Sequence, residues 1–176
     1  AALCVLSVHQ GQAYATIAHI GDSRIYLLRG GQTLERLTKD HGYFSFAVRH
    51  QKLTEKEALH IEQAEDDLSP ADLNHFARRN KITCAVGWTD FPFIPARSLP
   101  LTPGDRVLLC TDGVHDNLTD REIEEVLRAS GEPDAQRLVS TAYQRSHQSG
   151  TLRAKQDDIS AIVVSYPSMK EKKEYE

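Results

Sequence analysis

Four aspartates have the residue type and the placement to do chemistry. Asp22, in Ile20-Gly21-Asp22-Ser23-Arg24, follows an apolar, strand-like run. Asp112, in Cys110-Thr111-Asp112-Gly113, follows another, and Asp116 lies four residues further on. Asp157-Asp158 immediately precedes the last apolar run of the chain. Short carboxylates at strand ends project from rigid backbone into the cleft at a sheet edge. Hard divalent cations, Mg2+ or Mn2+, prefer such oxygen ligands and keep several waters. The glycines beside Asp22 and Asp112 permit tight turns and close backbone approach. The plain alternative is that Asp-Gly after a strand is a turn and Asp-Asp before one is a solvated pair. Composition and spacing alone leave that choice open.

Other chemistries are excluded more firmly. The chain has no HExxH, no CxxC and no GxxxxGK[ST]. A cysteine-dependent phosphatase needs Arg six residues after its Cys, whereas Gln10, Asp90 and Asp116 stand six past Cys4, Cys84 and Cys110. An aspartyl-phosphate nucleophile of the DxD type needs an acid two before Asp112, where Cys110 stands. Cys110 reads as strand packing.

The elements that must position these aspartates follow from periodicity and punctuation. Leu3–Val8 and Ala13–Ile20 read as strands joined at Gln10-Gly11, and Ile25–Leu28 as a third. Gly30-Gly31 reads as a two-residue hairpin loop into Thr33–Leu37. Hairpins in series imply antiparallel pairing. Residues 42–80 read as a helical insertion: Thr54-Glu55-Lys56-Glu57 is a capping box, and Ser69-Pro70 gives Ser at N-cap and Pro at N1. The acidic run Glu62–Asp67 reads as a solvated face. Strand-like segments resume from Lys81, although Phe91-Pro92-Phe93-Ile94-Pro95 is too proline-rich for a central strand. Arg106–Thr111 is a strand ending at Asp112-Gly113. A second capping box, Thr119 to Glu122, opens a helix to about Ser130, and Pro133–Gln148 is an amphipathic helix stopped by Gly150. Ile159–Tyr166 reads as a last buried strand. This order predicts an α+β fold with sheets packed against helices.

The chain has 176 residues, 40% hydrophobic and 26% charged, enough for one domain with a real core. No apolar run approaches the ~20 residues that span a bilayer. Its net charge of −4 argues against a nucleic-acid partner. Three cysteines without paired spacing suggest a reducing, cytoplasmic setting. The opening at Leu3-Cys4-Val5-Leu6, with no Met and no charged lead-in, is expected of a cut or processed polypeptide and not of a signal peptide.

Together these segments resemble the metal-dependent protein phosphatases, the protein phosphatase 2C-like Ser/Thr enzymes. Ala18–Tyr26 resembles the family's VGDSR strand, Leu37–His41 its LTxDH segment, and Arg79–Gly87 its RNxITRALG stretch. Pro103–Gly113 is similar to the PGDRLLLCSDGL motif in its bacterial form, and Asp157–Val164 to the DNxTVIVV motif. The matches stand in order from about residue 3 to 166. The resemblance implies two antiparallel β-sheets packed as a sandwich flanked by helices. It implies a phosphatase-like domain over residues 1–166, a helical flap at about 42–80 and a charged tail at 167–176. Its expected activity is hydrolysis of phosphoserine and phosphothreonine on proteins by a metal-activated water at a binuclear Mn2+ or Mg2+ centre. By position Asp112 and Asp157 would be ligands of that centre, and Asp22 and Asp116 would help hold a third ion. Asp158 takes the place of the family's Asn. The implied partners are phosphoprotein substrates and a Ser/Thr kinase, with no nucleic acid and no membrane segment.

Two departures stand out. The family's early Arg and its Asp-Gly-x-Gly-Gly loop, whose Asp bridges the metals, have no counterpart after Ala1, so the fold is expected to be N-terminally incomplete and the chain a fragment of a catalytic domain. His115 stands where the family has an aromatic or small residue, and is either a recruited ligand or a tolerated variant. Two other functions compete: a non-catalytic phosphatase-like binding or regulatory module, and an unrelated α+β metal-binding domain, which would leave Asp22, Asp112 and Asp157 far apart.

Overall fold

The computed structural model describes residues 1–30, 32–89, 94–129 and 134–167. Seven strands and six helices lie among them. β1 (Ala2–His9) and β2 (Gln12–His19) form an antiparallel hairpin, and β5 (Arg97–Pro100) pairs with the far side of β2. β3 (Arg24–Leu28), β4 (Glu35–Arg36), β6 (Arg106–Cys110) and β7 (Ala161–Ser165) form a second antiparallel sheet in the order β4-β3-β6-β7. α1 (Tyr43–Arg49), α2 (Glu55–Glu62) and α3 (Pro70–Phe76) stand between β4 and β5. α4 (Asp112–His115), α5 (Asp120–Arg128) and α6 (Asp134–Ser146) stand between β6 and β7. The α+β sandwich expected from the sequence is the observed architecture.

The two-residue period of β3 and β6 explains the layering. Ile25, Leu27 and Val107 point between the sheets, onto Ala15 and Ile17 of β2 and Leu99 of β5. Tyr26, Leu28, Leu108 and Cys110 point the other way, onto Val114, Leu118, Ile123, Leu127, Leu138 and Ala142 of the helical layer. Both strands are therefore buried on both faces, which is why they read as continuous apolar runs.

The three helix starts predicted from Thr54, Ser69 and Thr119 are present. Thr54 and Thr119 each complete a capping box, with Glu57 and Glu122 respectively, and Ser69 caps α3 with Pro70 at its start. Some expectations need correction. The strand expected over Thr33–Leu37 shrinks to Glu35–Arg36, because the Ile25 amide donates to Thr38 Oγ1 and leaves the backbone ladder. Residues 81–89 hold no strand, only a bridge between Gly42 and Ile82. The Asp112-Gly113 turn is the first turn of α4. β7 is an edge strand, with Ile162 61% exposed, and not a buried one. The acidic run is not wholly solvated, since Glu62 turns inward against Arg24 and Arg36. Gly31, Phe91–Phe93, Pro133 and the tail from 168 onward lie outside the described residues.

Among the described residues β1 has a strand neighbour on one side only. Leu3, Val5, Leu6 and Val8 along it are all at least half exposed. No helix among the described residues is long and apolar enough to cross a membrane.

Candidate metal centre and the adjoining cleft

Strand register brings the aspartates together. Cys110, the last residue of β6, lies opposite Arg24 of β3 on one side and Ala161 of β7 on the other. Asp22 just before β3, Asp112 just after β6 and Asp157 just before β7 consequently reach the same rim of the sheet. Asp116 is the C-cap of α4, one helical turn beyond Asp112.

At that rim three carboxylates converge on one ammonium. Lys155 Nζ lies 2.5 Å from Asp116 Oδ2, 2.9 Å from Asp157 Oδ2 and 3.3 Å from Asp112 Oδ2. Arg79 Nε approaches the other oxygen of Asp116 at 3.4 Å. Asp116 is buried, while Asp112 and Asp157 are about one-third exposed. The hydrogen bond and charge of Lys155 hold the Asp157 carboxyl below its ordinary range. Lys155 is itself raised above the ordinary lysine value: burial opposes its charge, but Asp116, Asp157 and Asp112 more than compensate. Asp22 stands beside this group, and burial, then the nearby Asp112, raise its carboxyl.

Local backbone contacts fix the geometry. Gly113 N–H donates to Asp112 Oδ1 at 3.0 Å and Asp158 N–H to Asp157 Oδ1 at 2.9 Å. Thr111 Oγ1 accepts from Ser160 N–H at 3.0 Å and donates to the Asp158 carbonyl at 3.2 Å, pinning the β7 lead-in to the end of β6. Gly113 has no room for a side chain, because a methyl there would overlap the Asp158 carbonyl oxygen. Asn117, fully buried, holds Lys155 by its backbone: Lys155 N–H donates to Asn117 Oδ1 at 3.0 Å, and Asn117 Nδ2 donates to the Lys155 carbonyl at 2.9 Å.

His115 is a structural residue at this rim. It is buried, and its Nε2–H donates to the Asp22 carbonyl at 3.0 Å, which fixes the turn that carries Asp22. Burial, reinforced by Arg24, holds its pKa well below the ordinary histidine value, so the ring is neutral. Asp158 contributes its backbone, and its side chain is exposed. Cys110 is buried, and burial pushes its thiol up to about 12, which suits packing and not nucleophilic attack.

A cleft of about 350 Å3 adjoins the carboxylates and meets them through Asp22 and Asp116. The insert helices form one wall, with Tyr43 and Leu59, and Arg24 and Arg79 line it from other sides. Arg153, buried, ties the insert to α4: its guanidinium donates to the carbonyls of Glu62 and Ala64 on one side and of His115 and Leu118 on the other.

The donor set at the rim is all carboxylate, the chemistry of a hard divalent cation. Among the described residues no three His, Cys, Asp or Glu side chains already stand as a ready metal cage. The place where their oxygens converge is filled by the Lys155 ammonium, so the group fits a cation in charge and donor type. The sequence pointed to Asp22, Asp112, Asp116 and Asp157. It did not point to Lys155, Arg79, Arg153 or Asn117, although a lysine two residues before an acid pair was a visible signal.

Comparison with known proteins agrees with this architecture. The family model described as stage II sporulation protein E matches residues 68–167, more than half of the chain, and the protein phosphatase 2C model matches residues 1–45. The Ser/Thr protein phosphatase PstP of Mycobacterium tuberculosis is 33% identical over 127 residues, covering 72% of this chain and 21% of that protein. The Ser/Thr phosphatase stp of Listeria monocytogenes is 29% identical over 118 residues, covering 67% of this chain and 40% of its own length. This chain thus spans well under half of those relatives. Among solved structures, PstP of M. tuberculosis superposes with a TM-score of 0.67 at 26% identity, covering 94% of this chain and 60% of that one. PppA of Pseudomonas aeruginosa gives 0.59 at 30% identity, covering 93% and 56%. Another PstP structure, at 25% identity and a TM-score of 0.61, is a complex with two manganese ions. On the sandwich, the ordered motifs and these matches, the chain belongs to the stage II sporulation protein E family of protein phosphatase 2C-like proteins.

Proposed function

We propose that this chain carries part of the active centre of a phosphoserine/phosphothreonine protein phosphatase. Asp112, Asp116 and Asp157 would hold Mn2+ or Mg2+, with Asp22 beside them, and two or three ions would fill the complete centre. The observation that carries the reading is the meeting of three carboxylates, two from the ends of α4 and one from the lead-in to β7, at one point on the sheet rim. Bound divalent ions would supply Lewis acidity and an activated water. The chain's own residues have defined parts. Gly113 and Asp158 amides orient the carboxylates of Asp112 and Asp157, and Asn117 and His115 hold the backbone behind them. The cleft between insert and sheet would take the phosphorylated side chain, with the insert of residues 42–80 acting as a flap that selects substrates. The domain would occupy residues 1–166, with 167–176 as a charged tail. The three unpaired cysteines support a reducing, cytoplasmic setting, where a Ser/Thr kinase would be the natural counterpart.

The test is phosphate release from a phosphothreonine peptide by the natural protein containing this chain. Turnover should require Mn2+, stop with chelator, and fall at least about 100-fold in Asp112→Asn, beyond what loss of an outer-shell partner costs. Full activity in that variant would overturn the assignment. One observation favours a second reading, a non-catalytic phosphoprotein-binding module: a lysine fills the cation place. Peptide binding without turnover at saturating Mn2+ would select it.

A further inference from the structure

Lys155 is placed where the proposed function needs a metal. Its ammonium has three donors and meets three carboxylates, from the start of α4, the end of α4 and the lead-in to β7. The Lys155 backbone is held by two Asn117 bonds, and the preceding Arg153 is anchored through its guanidinium to four carbonyls. The four-carbon stem is not so held, and the side chain keeps 20% of its surface in water. It can leave the centre by rotation while the backbone stays. Charge favours the exchange: among the described residues the four carboxylates of Asp22, Asp112, Asp116 and Asp157 are met by Lys155, Arg79 and, acting on Asp116, Arg153, so the group remains net negative with the ammonium in place. A divalent ion and the ammonium cannot share the point, because they would be like charges within contact distance inside a partly buried site.

We propose that Lys155 is an intramolecular cation that holds the aspartate centre together without metal and competes with the divalent ion for it. Metal binding then requires Lys155 to swing out towards solvent, and Lys155 sets the metal concentration at which the centre fills. This rests on the metal-binding reading above and adds to it a residue that tunes affinity. Lys155 is a positioning residue and does not react.

The experiment is Mn2+ titration calorimetry on the natural protein and on Lys155→Met, which keeps the stem and removes the charge, with thermal melts in chelator beside it. Lys155→Met should bind Mn2+ at least tenfold more tightly, melt lower in chelator, and gain more from Mn2+ than the wild type does. Lys155→Arg, which keeps a cation, should stay near wild-type affinity. Unchanged or weaker Mn2+ binding by a folded Lys155→Met overturns the competition. If wild type binds and Asp112→Asn does not, the metal reading survives that loss. If neither wild type nor Lys155→Met binds Mn2+, both readings fall. Amine labelling of the wild type, read by mass spectrometry, requires no variant to fold. Lys155 should be protected in chelator and labelled in Mn2+, and equal labelling in both would overturn the exchange.

Discussion

The guanidinium of Arg24 and the carboxylate of Glu62 meet at 2.6 Å, joining the first residue of β3 to the last residue of α2. Arg24 also bonds both oxygens of Asp40 and donates to Tyr26, whose hydroxyl donates to Asp120 at the start of α5. One buried cation therefore fastens the insert, the sheet and the second helical layer around the cleft. Arg24→Met leaves Asp40 and Glu62 without their shared partner and should cost about 3–5 kcal/mol, the range for breaking a buried pair on one side. Glu62→Gln leaves Arg24 with Asp40 and should cost less, about 1–3 kcal/mol. Urea unfolding of the two variants checks the order.

The same contact gives a pH dependence. Burial raises the Glu62 carboxyl, but Arg24 and then Arg36 outweigh it, and the net shift is downward. A depressed carboxylate contributes stability that is complete above its unfolded pKa of roughly 4.3 and is lost as pH falls through the lower folded value. Stability should decline on acidification below about pH 5. In Glu62→Gln that decline should be shallower, as followed by denaturant midpoints across the acid range.

Cys110 packs between β6 and the helical layer with its thiol at about 12. The folded protein should therefore resist iodoacetamide at this position at pH 8, while Cys4, which is partly exposed, reacts first. Mass spectrometry before and after unfolding checks this, and rapid native labelling of Cys110 would contradict the buried placement.

Gly113 touches the Asp158 carbonyl so closely that no side chain fits. Gly113→Ala must push α4 away from the β7 lead-in, and overpacking of this kind costs about 1–3 kcal/mol. Because Asp112 and Asp157 sit on the two parts pushed apart, Mn2+ affinity should fall together with the melting temperature. A variant that lost stability and kept full affinity would show that the two parts move independently.

What the sequence disclosed depended on range. The capping boxes at Thr54 and Thr119 and the Ser69-Pro70 start were legible because each is complete within four residues. α1 gave no such signal: its N-cap is Gly42, without a side-chain bond, and its first turn has no acid. α4 is four residues long, too short to show a helical period. Glu62 read as solvated because its partner Arg24 is 38 residues earlier, on a strand. The aspartates that meet at the rim were singled out by type and by motif. Lys155 was not, since its role comes from three acids that the register of β6 and β7 brings together.

β1 carries a last consequence, for how the molecule behaves in a tube. Its outer edge pairs with no strand among the described residues and is flanked by Leu3, Val5, Leu6 and Val8 on both faces. Such an edge is a template for another strand, and apolar side chains on each side reinforce the pairing. The isolated chain should scatter light increasingly with concentration and should salt out early in sulfate, which strengthens apolar contact. A single charge on the edge, Val5→Lys, should suppress the association while leaving the aspartate rim as it is, a difference that sedimentation velocity would resolve.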